Sequence, residues 1–271
     1  MDPLTFVVVV CTGAVTGLIG SLLGIGGGLF LIPALVLGFG LPMHQALAAS
    51  IVAVIATSST TASVYIERGT SNVRLGMSLE VATTIGALAG GLAANSLPGG
   101  TLRMIFAVFL LCMGTLMAWR MRVHGEGRFT YDPTARISGR YVDQASGQEV
   151  RYSVRNLPAG SAVSLAAGVM SGLLGVGGGI VKVPVMNAVC GVPIKTATAT
   201  SNFMIGVTAV ASAFIYFANG HVEPAWTAAA VLGVLAGSRA GTMLSARMHG
   251  RTILTIFIAL IFIVAIRMFF Q

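Results

Sequence analysis

Apolar residues in this chain run in long unbroken stretches that do not alternate with polar ones. Ala46 to Tyr65, Leu75 to Ala94, Leu102 to Trp119, Thr196 to Phe217, Ala225 to Ala246 and Thr252 to Phe270 are mostly apolar. Each supplies the roughly 20 residues that one helix needs to cross about 30 Å of hydrocarbon. Lipid gives the backbone no hydrogen-bond partner, so such spans must be helices or a closed barrel, and continuous hydrophobicity selects helices. Six crossings are therefore expected. Two further apolar stretches are interrupted by glycine. Leu4 to Leu23, the cluster Gly24 to Gly28 and Leu29 to Leu37 would make a single helix about 50 Å long, too long for the bilayer. The glycines must break it, and the short second piece cannot cross alone. The expectation is a re-entrant hairpin, with one arm entering, a glycine tip inside the membrane and a half-helix returning. Ala159 to Cys190 has the same form.

The similarity of these two stretches extends along the chain. Gly24-Ile-Gly-Gly-Gly28 recurs as Gly175-Val-Gly-Gly-Gly179, a displacement of 151 residues. At the same displacement Gly17 matches Gly168, Pro33 matches Pro184, Gly40 and Pro42 match Gly191 and Pro193, and Ser50 matches Ser201. Tyr65 matches Tyr216, Gly69 matches Gly220, and Gly86 and Gly90 match Gly237 and Gly241. One offset held over so long a stretch marks an internal duplication. The organisation read from it is a first transmembrane repeat over 1–120, a hydrophilic linker over 121–156 and a second repeat over 157–271. The linker is Arg-rich, and Arg140-Tyr-Val and Val150-Arg-Tyr-Ser-Val154 around Ala-Ser-Gly suggest a small hairpin within a solvated connector.

Composition agrees with a lipid environment: 9% of the 271 residues are charged and the mean hydropathy is +0.89. The net charge of +8 does not point to nucleic acid, because the basic residues are scattered through loops and no soluble domain carries them on one face. Their distribution instead orients the chain. With the linker in the cytoplasm and each half made of a hairpin plus three crossings, twelve Lys and Arg fall inside and two outside. If the halves lie parallel, the count is ten against four. The excess of basic residues on cytoplasmic faces favours inverted repeats, with both termini outside the cytoplasm. Met1 to Thr5 lacks the basic start of a cleaved signal peptide, so the first apolar segment is expected to be retained. The fold class is thus all-α, a polytopic multi-pass protein of the cell inner membrane.

Inverted halves would bring the two glycine tips together near the midplane, where transporters built from inverted repeats hold their substrate. Half-helices starting near Gly28 and Gly179 would aim unpaired N–H groups and positive dipole ends at that point, which suits an anion. Glycine allows positive φ and close approach of backbone to ligand. Gly26, Gly27, Gly28, Gly177, Gly178 and Gly179 are therefore candidate substrate contacts. The alternative is that the glycines serve close helix packing, the role read for Gly86, Gly90, Gly237 and Gly241. Hydroxyls follow each hairpin: Ser50 and Thr57 to Thr61 in the first half, Thr196, Thr198, Thr200, Ser201 and Asn202 in the second. Ser50, Ser201 and Asn202 rank highest, against the alternative that such hydroxyls bond to their own helix backbone. Lys182 lies inside the second half-helix at the position matched by Leu31. A buried ammonium there would balance the cargo's charge or carry a coupled proton, unless it snorkels to an interface. Glu80 and Arg239 also fall within spans, where snorkelling is favoured over gating or an intramembrane pair. His44 and His221 read as solvated loop ends.

Cys11, Cys112 and Cys190 are isolated in apolar segments, and no metal-ligand spacing, paired carboxylates or Ser/His/Asp set occurs. Neither a metal, a cofactor nor an enzymatic activity is expected, and no phosphate-binding GxxxxGK loop is present. GxGGG followed five positions later by proline, the GxP turns at Gly40 to Pro42 and Gly191 to Pro193, and the duplicated plan resemble the sulfite exporter TauE/SafE family. The resemblance spans both halves, the long linker being a less typical insertion. It implies transport, often export, of sulfur-containing anions such as sulfite, sulfoacetate or related organosulfonates. A secondary transporter using alternating access is the reading taken, with a passive anion channel as the alternative. The partners are a small anion and the lipid bilayer, with a homodimer left open and nucleic acid excluded.

Overall fold

The computed structural model describes residues 1–123, 131–132, 134–142, 147–245 and 250–269. Helix α1 (Pro3–Leu23) leads through Gly24 to Gly27 into the short α2 (Gly28–Pro33) and a single π turn over Ala34–Gly38. Helices α3 (Met43–Glu67), α4 (Val73–Ser96) and α5 (Gly99–Val123) follow. After the strands β1 (Ser138–Val142) and β2 (Glu149–Ser153) come α6 (Leu157–Leu174), α7 (Gly179–Ala188), α8 (Ile194–Ala218), α9 (Pro224–Ser245) and α10 (Gly250–Phe269). Elements separated by 151 residues share their starting positions: α3 and α8 each begin after a proline N-cap, Pro42 and Pro193. Pro33 and Pro184 sit inside the short helices α2 and α7.

Among the described residues seven helices are long and apolar enough to cross a membrane, including α1 with 21 residues and α6 with 18. The protein is a polytopic all-α membrane protein. The six crossings expected from sequence leave out α1 and α6, the expected hairpin arms; at 1.5 Å per residue each is also long enough to span. The Ala246 and Phe270 ends of two expected spans, Arg128 and Arg247 of the charge count, and the Ala145-Ser146 tip of the linker hairpin lie outside the described residues.

Burial along α4 is inside-out compared with a water-soluble protein. Met77, Val81, Ile85, Leu88 and Leu92 form an exposed apolar stripe, while Gly76, Glu80, Thr83, Ala87, Gly90 and Gly91 face inward. Lipid tails are as apolar as leucine, so burying large side chains gains little there, and helices associate through small residues that let backbones touch. The close contacts follow that rule. Helix α1 lies on α9 with Val10 opposite Gly233, Ala14 opposite Gly237 and Leu18 opposite Gly241, so the two run in the same direction. Helix α4 lies on α6 in the same way, with Thr83 against Gly168, Ala87 against Gly172 and Val169 against Gly90. The glycine faces expected to serve close packing do so. Helices α3 and α8 pack on each other, as do α5 and α10.

The linker contains the expected antiparallel hairpin, with Arg140 paired to Arg151 and Tyr141 to Val150. The described hairpin is docked on the helices, where the sequence suggests a solvated connector. Tyr152 is buried, and its hydroxyl accepts from Asn72 Nδ2 at 2.9 Å at the start of α4. Ile137, Tyr141 and Tyr152 share a core with Leu79 of α4, Val183 and Met186 of α7 and Met204 of α8. Aromatic residues on one face of the hairpin cause this docking, and the Arg140 to Glu149 and Arg151 to Glu149 contacts lie on its exposed face.

Candidate functional site

Each glycine cluster folds the chain back on the helix before it. Gly24 and Gly175 end α1 and α6 in the left-handed conformation that glycine adopts at helix C-termini. Gly26 and Gly27, like Gly177 and Gly178, also have positive φ, and all are buried. The reversal is so tight that a Cβ on Gly20 would lie 2.0 Å from the Gly27 nitrogen. Helices α2 and α7 then begin at Gly28 and Gly179 after the glycine N-caps Gly27 and Gly178.

The two turns touch each other. A Cβ on Gly28 would come 3.0 Å from the Gly175 carbonyl oxygen, and one on Gly179 would come 2.5 Å from that of Gly24. Val54 and Ile205, a matched pair near the middle of α3 and α8, both press on Gly26 and on Gly177. All six candidate glycines are thus brought to one place. Ser50 Oγ donates to the Gly175 carbonyl at 3.0 Å, and Ser201 Oγ donates to the Gly24 carbonyl at 3.1 Å. Under the displacement of 151 these two bonds are the same bond made twice. Ser58 Oγ donates in addition to the Asn202 carbonyl, crossing from α3 to α8.

In this arrangement the ranked hydroxyls bond to the opposite half. Thr57, Thr60 and Thr61 bond within their own helix, as do Thr83 and Ser212. Asn202 donates to the Thr198 carbonyl at 3.2 Å, and its buried Oδ1 has no donor among the described residues. A groove of about 230 Å³ between α3 and α8 is lined by Ile55, Ser58, Ser59 and Gly206 among others.

Beside the turns lies a buried charge, Lys182. It is 1% exposed, one turn into α7, and its Nζ lies 3.4 Å from Glu80 Oε2 and donates to Thr208 Oγ1 at 2.6 Å. Thr208 Oγ1 in turn donates to Glu80 Oε1. Neither charge snorkels. Glu80, expected at an interface, is buried in an ion pair that joins α4 of the first half to α7 of the second. Arg239, by contrast, is exposed.

A scan of family models matches residues 9–268 to the family described as sulfite exporter TauE/SafE. The chain belongs to the TauE/SafE family. The probable membrane transporter protein YunE of Bacillus subtilis (strain 168) is 24% identical over 275 residues, covering 99% of this chain and 98% of that protein. The probable membrane transporter protein of Xylella fastidiosa (strain 9a5c) is 25% identical over 246 residues, covering 90% and 86%. The probable membrane transporter protein MJ0441 of Methanocaldococcus jannaschii is 24% identical over 213 residues, covering 76% and 70%. No solved structure matches the chain. This TauE/SafE protein is therefore a membrane transporter.

Sequence reasoning missed two contacts in this protein. The Glu80–Lys182 pair could have been suspected, because Glu80 is the one acid in the interior of an apolar span and an unpaired charge there is costly. The other is a stack of His44 and His221, with ring centroids 4.9 Å apart. The sequence suggests solvated loop ends for both. They are half-buried, with His44 Nε2 3.3 Å from the Ala94 carbonyl and His221 Nε2 3.0 Å from Asn95 Oδ1. Burial and, next, repulsion from His44 hold the His221 imidazole below its ordinary titration range.

Proposed function

We propose that this TauE/SafE protein is a secondary transporter of the cell inner membrane that moves small sulfur-containing anions such as sulfite or organosulfonates. Efflux is the direction carried by the family's name. Cargo binds between the two glycine turns, contacting Gly26 to Gly28, Gly177 to Gly179, Ser50, Ser201, Asn202 and Lys182, and alternating access exposes it to each side. The observation that carries this reading is the mutual contact of the turns at the middle of α3 and α8, with the Lys182 ammonium one turn away. First-turn N–H groups and a buried cation are the donors an oxyanion needs where water is excluded. The packed contact supports a carrier over an open channel, since cargo can enter only if the turns part.

Re-entrant hairpins in two inverted repeats complete the reading. The reciprocal serine bonds support a two-fold relation between the halves. Helix α8 runs alongside α4, with Asn72 N–H donating to Thr200 and Gly76 lying on Met204, so α8 starts at the end of the bundle where the linker hairpin docks. With the linker in the cytoplasm, this favours inversion over parallel halves. Counterflow of labelled sulfite, isethionate and sulfoacetate in proteoliposomes tests the function. Saturable exchange is the expected result, and Lys182→Ala and Ser201→Ala should each raise the saturation constant. If both variants leave it unchanged for every anion carried, the site is misassigned.

A further inference from the structure

Glu80 and Lys182 are exceptions to the duplication. Their counterparts at the displacement of 151 are Val231 and Leu31, so neither charge has a mate in the other half. Yet the two meet, side chains 4% and 1% exposed, with Thr208 bridging them. Thr83 and Thr84 hydroxyls lie 3.5 and 3.4 Å from the same carboxylate. Among the described residues no other charge faces Glu80 from the helices packed around it: α6 carries none, α7 carries only Lys182, and the single charge of α8, Lys195, is in its first turn. A buried ion pair of this kind is weak evidence for stability, because apolar residues of similar volume often hold a structure as well. Ionisable groups buried within a membrane more often mark ion pathways and proton relays.

Resting on the reading that an anion binds between the turns, we infer that Glu80 is the proton-binding site of the transport cycle. The Lys182 ammonium needs one counter-anion while it is buried. In the structure that anion is the Glu80 carboxylate. When Glu80 takes up a proton it becomes a neutral acid, and Lys182 is free to pair with cargo. The site is neutral before and after, and one proton is bound for each cargo that pairs with the ammonium. Thr208 stays bonded in both forms, because its hydroxyl donates to the carboxylate and accepts from the carboxylic acid. Little movement is required of Lys182: its backbone N–H bonds the Gly178 carbonyl at 3.1 Å, and its Cε lies 3.5 Å from where a Gly178 side chain would begin. The proton and the anion therefore travel in the same direction. A monoanion moves without net charge, so efflux runs on the cargo's own gradient and uptake on the proton gradient.

The test uses the full chain in proteoliposomes with a trapped pH dye and an inward gradient of isethionate, a strong-acid monoanion that carries no proton itself. Wild type is expected to acidify the lumen by one proton per isethionate, with no response to a potassium–valinomycin potential. Its flux should fall by about tenfold per pH unit once Glu80 is deprotonated. Glu80→Gln should carry isethionate without protons, follow the potential and lose the pH dependence. Isethionate flux in wild type with no acidification, or coupling intact in Glu80→Gln, overturns the inference while leaving anion transport standing. The wild-type proton-to-anion ratio decides alone if the variant does not fold, and for a protein that carries sulfite but not isethionate the response of sulfite flux to the potential decides instead. If no anion among isethionate, methanesulfonate and sulfite moves, the transport reading fails and the coupling falls with it.

Discussion

Replacing Gly237 with alanine should separate α1 from α9 and lower the stability of the whole bundle. The new Cβ would lie 1.8 Å from the Ala14 carbonyl oxygen, 2.6 Å from its carbon and 2.8 Å from its Cα. Those atoms are all backbone, so no rotamer change relieves the overlap. Restoring an ordinary contact of about 3.5 Å requires the helices to part by about 1.5 Å. A gap of even 0.5–1 Å forfeits roughly a quarter to a half of each dispersion well across the contact. Forced shifts in packed cores cost about 1–3 kcal/mol, and alanine returns up to about 1 kcal/mol of helix propensity. With backbone on both sides the cost belongs at the top of its range, which leaves a net loss of about 2 kcal/mol. At about 2–4 °C per kcal/mol, the melting temperature in detergent should fall by about 4–8 °C. Gly86→Ala, at the matched position and 2.2 Å from the Leu165 carbonyl oxygen, should lose as much. Gly100→Ala is the control, because a Cβ there meets nothing within 4 Å. A Gly237→Ala protein that melts with wild type, or a Gly100→Ala protein that drops equally, would refute the assignment of these glycines to backbone contact.

Three other outcomes are expected. Ser50→Ala and Ser201→Ala should each cost about 1 kcal/mol or less of stability, the usual worth of a hydrogen bond between membrane helices. The two losses should be similar, because each removes one of two equivalent bonds; denaturant titration in micelles measures both. Lys182→Met and Glu80→Gln should each destabilise by up to about 3–5 kcal/mol, since each leaves a buried charge without its partner, whereas the double variant should recover much of the loss; a thermodynamic cycle on the four proteins checks the coupling. His221 is held below its ordinary value of 6.5, so the folded state prefers its neutral form. Its contribution is complete above that pH and is lost as pH falls through the lowered value. Melting curves from neutral to acidic pH should show this sensitivity in wild type and its absence in His221→Gln.

Much of the fold can be read from the sequence because lipid imposes simple rules: length and hydrophobicity give the spans, and one displacement gives the duplication. The glycine clusters were visible as chain breaks for the same reason, since Gly26 and Gly27 stand where no helix can continue. Contacts between distant segments were harder. Nothing near Ser50 or Gly175 indicates that they bond to each other, because the partner of a hydroxyl depends on which helices cross and at what depth. In the linker, Arg residues dominate the composition and suggest solvation, while docking of the described hairpin depends on Ile137, Tyr141 and Tyr152 sharing one face.

Departures from the repeat are as informative as the repeat itself. A chain whose halves were identical in chemistry would place the same groups on both sides of Val54 and Ile205, and any charge at the turns would face a copy of itself across the two-fold. Two ammonium groups or two carboxylates so placed would repel each other in a medium that screens them poorly. An opposite pair avoids this only when it is drawn from positions the two-fold does not relate, and Glu80 and Lys182 are such positions, matched elsewhere by Val231 and Leu31. Asn202, matched by Ile51, adds a third polar group on the same half as Lys182. The glycine turns and serine bonds thus supply a frame that is the same in both halves, and the buried Glu80–Lys182 pair is confined to one copy of each position.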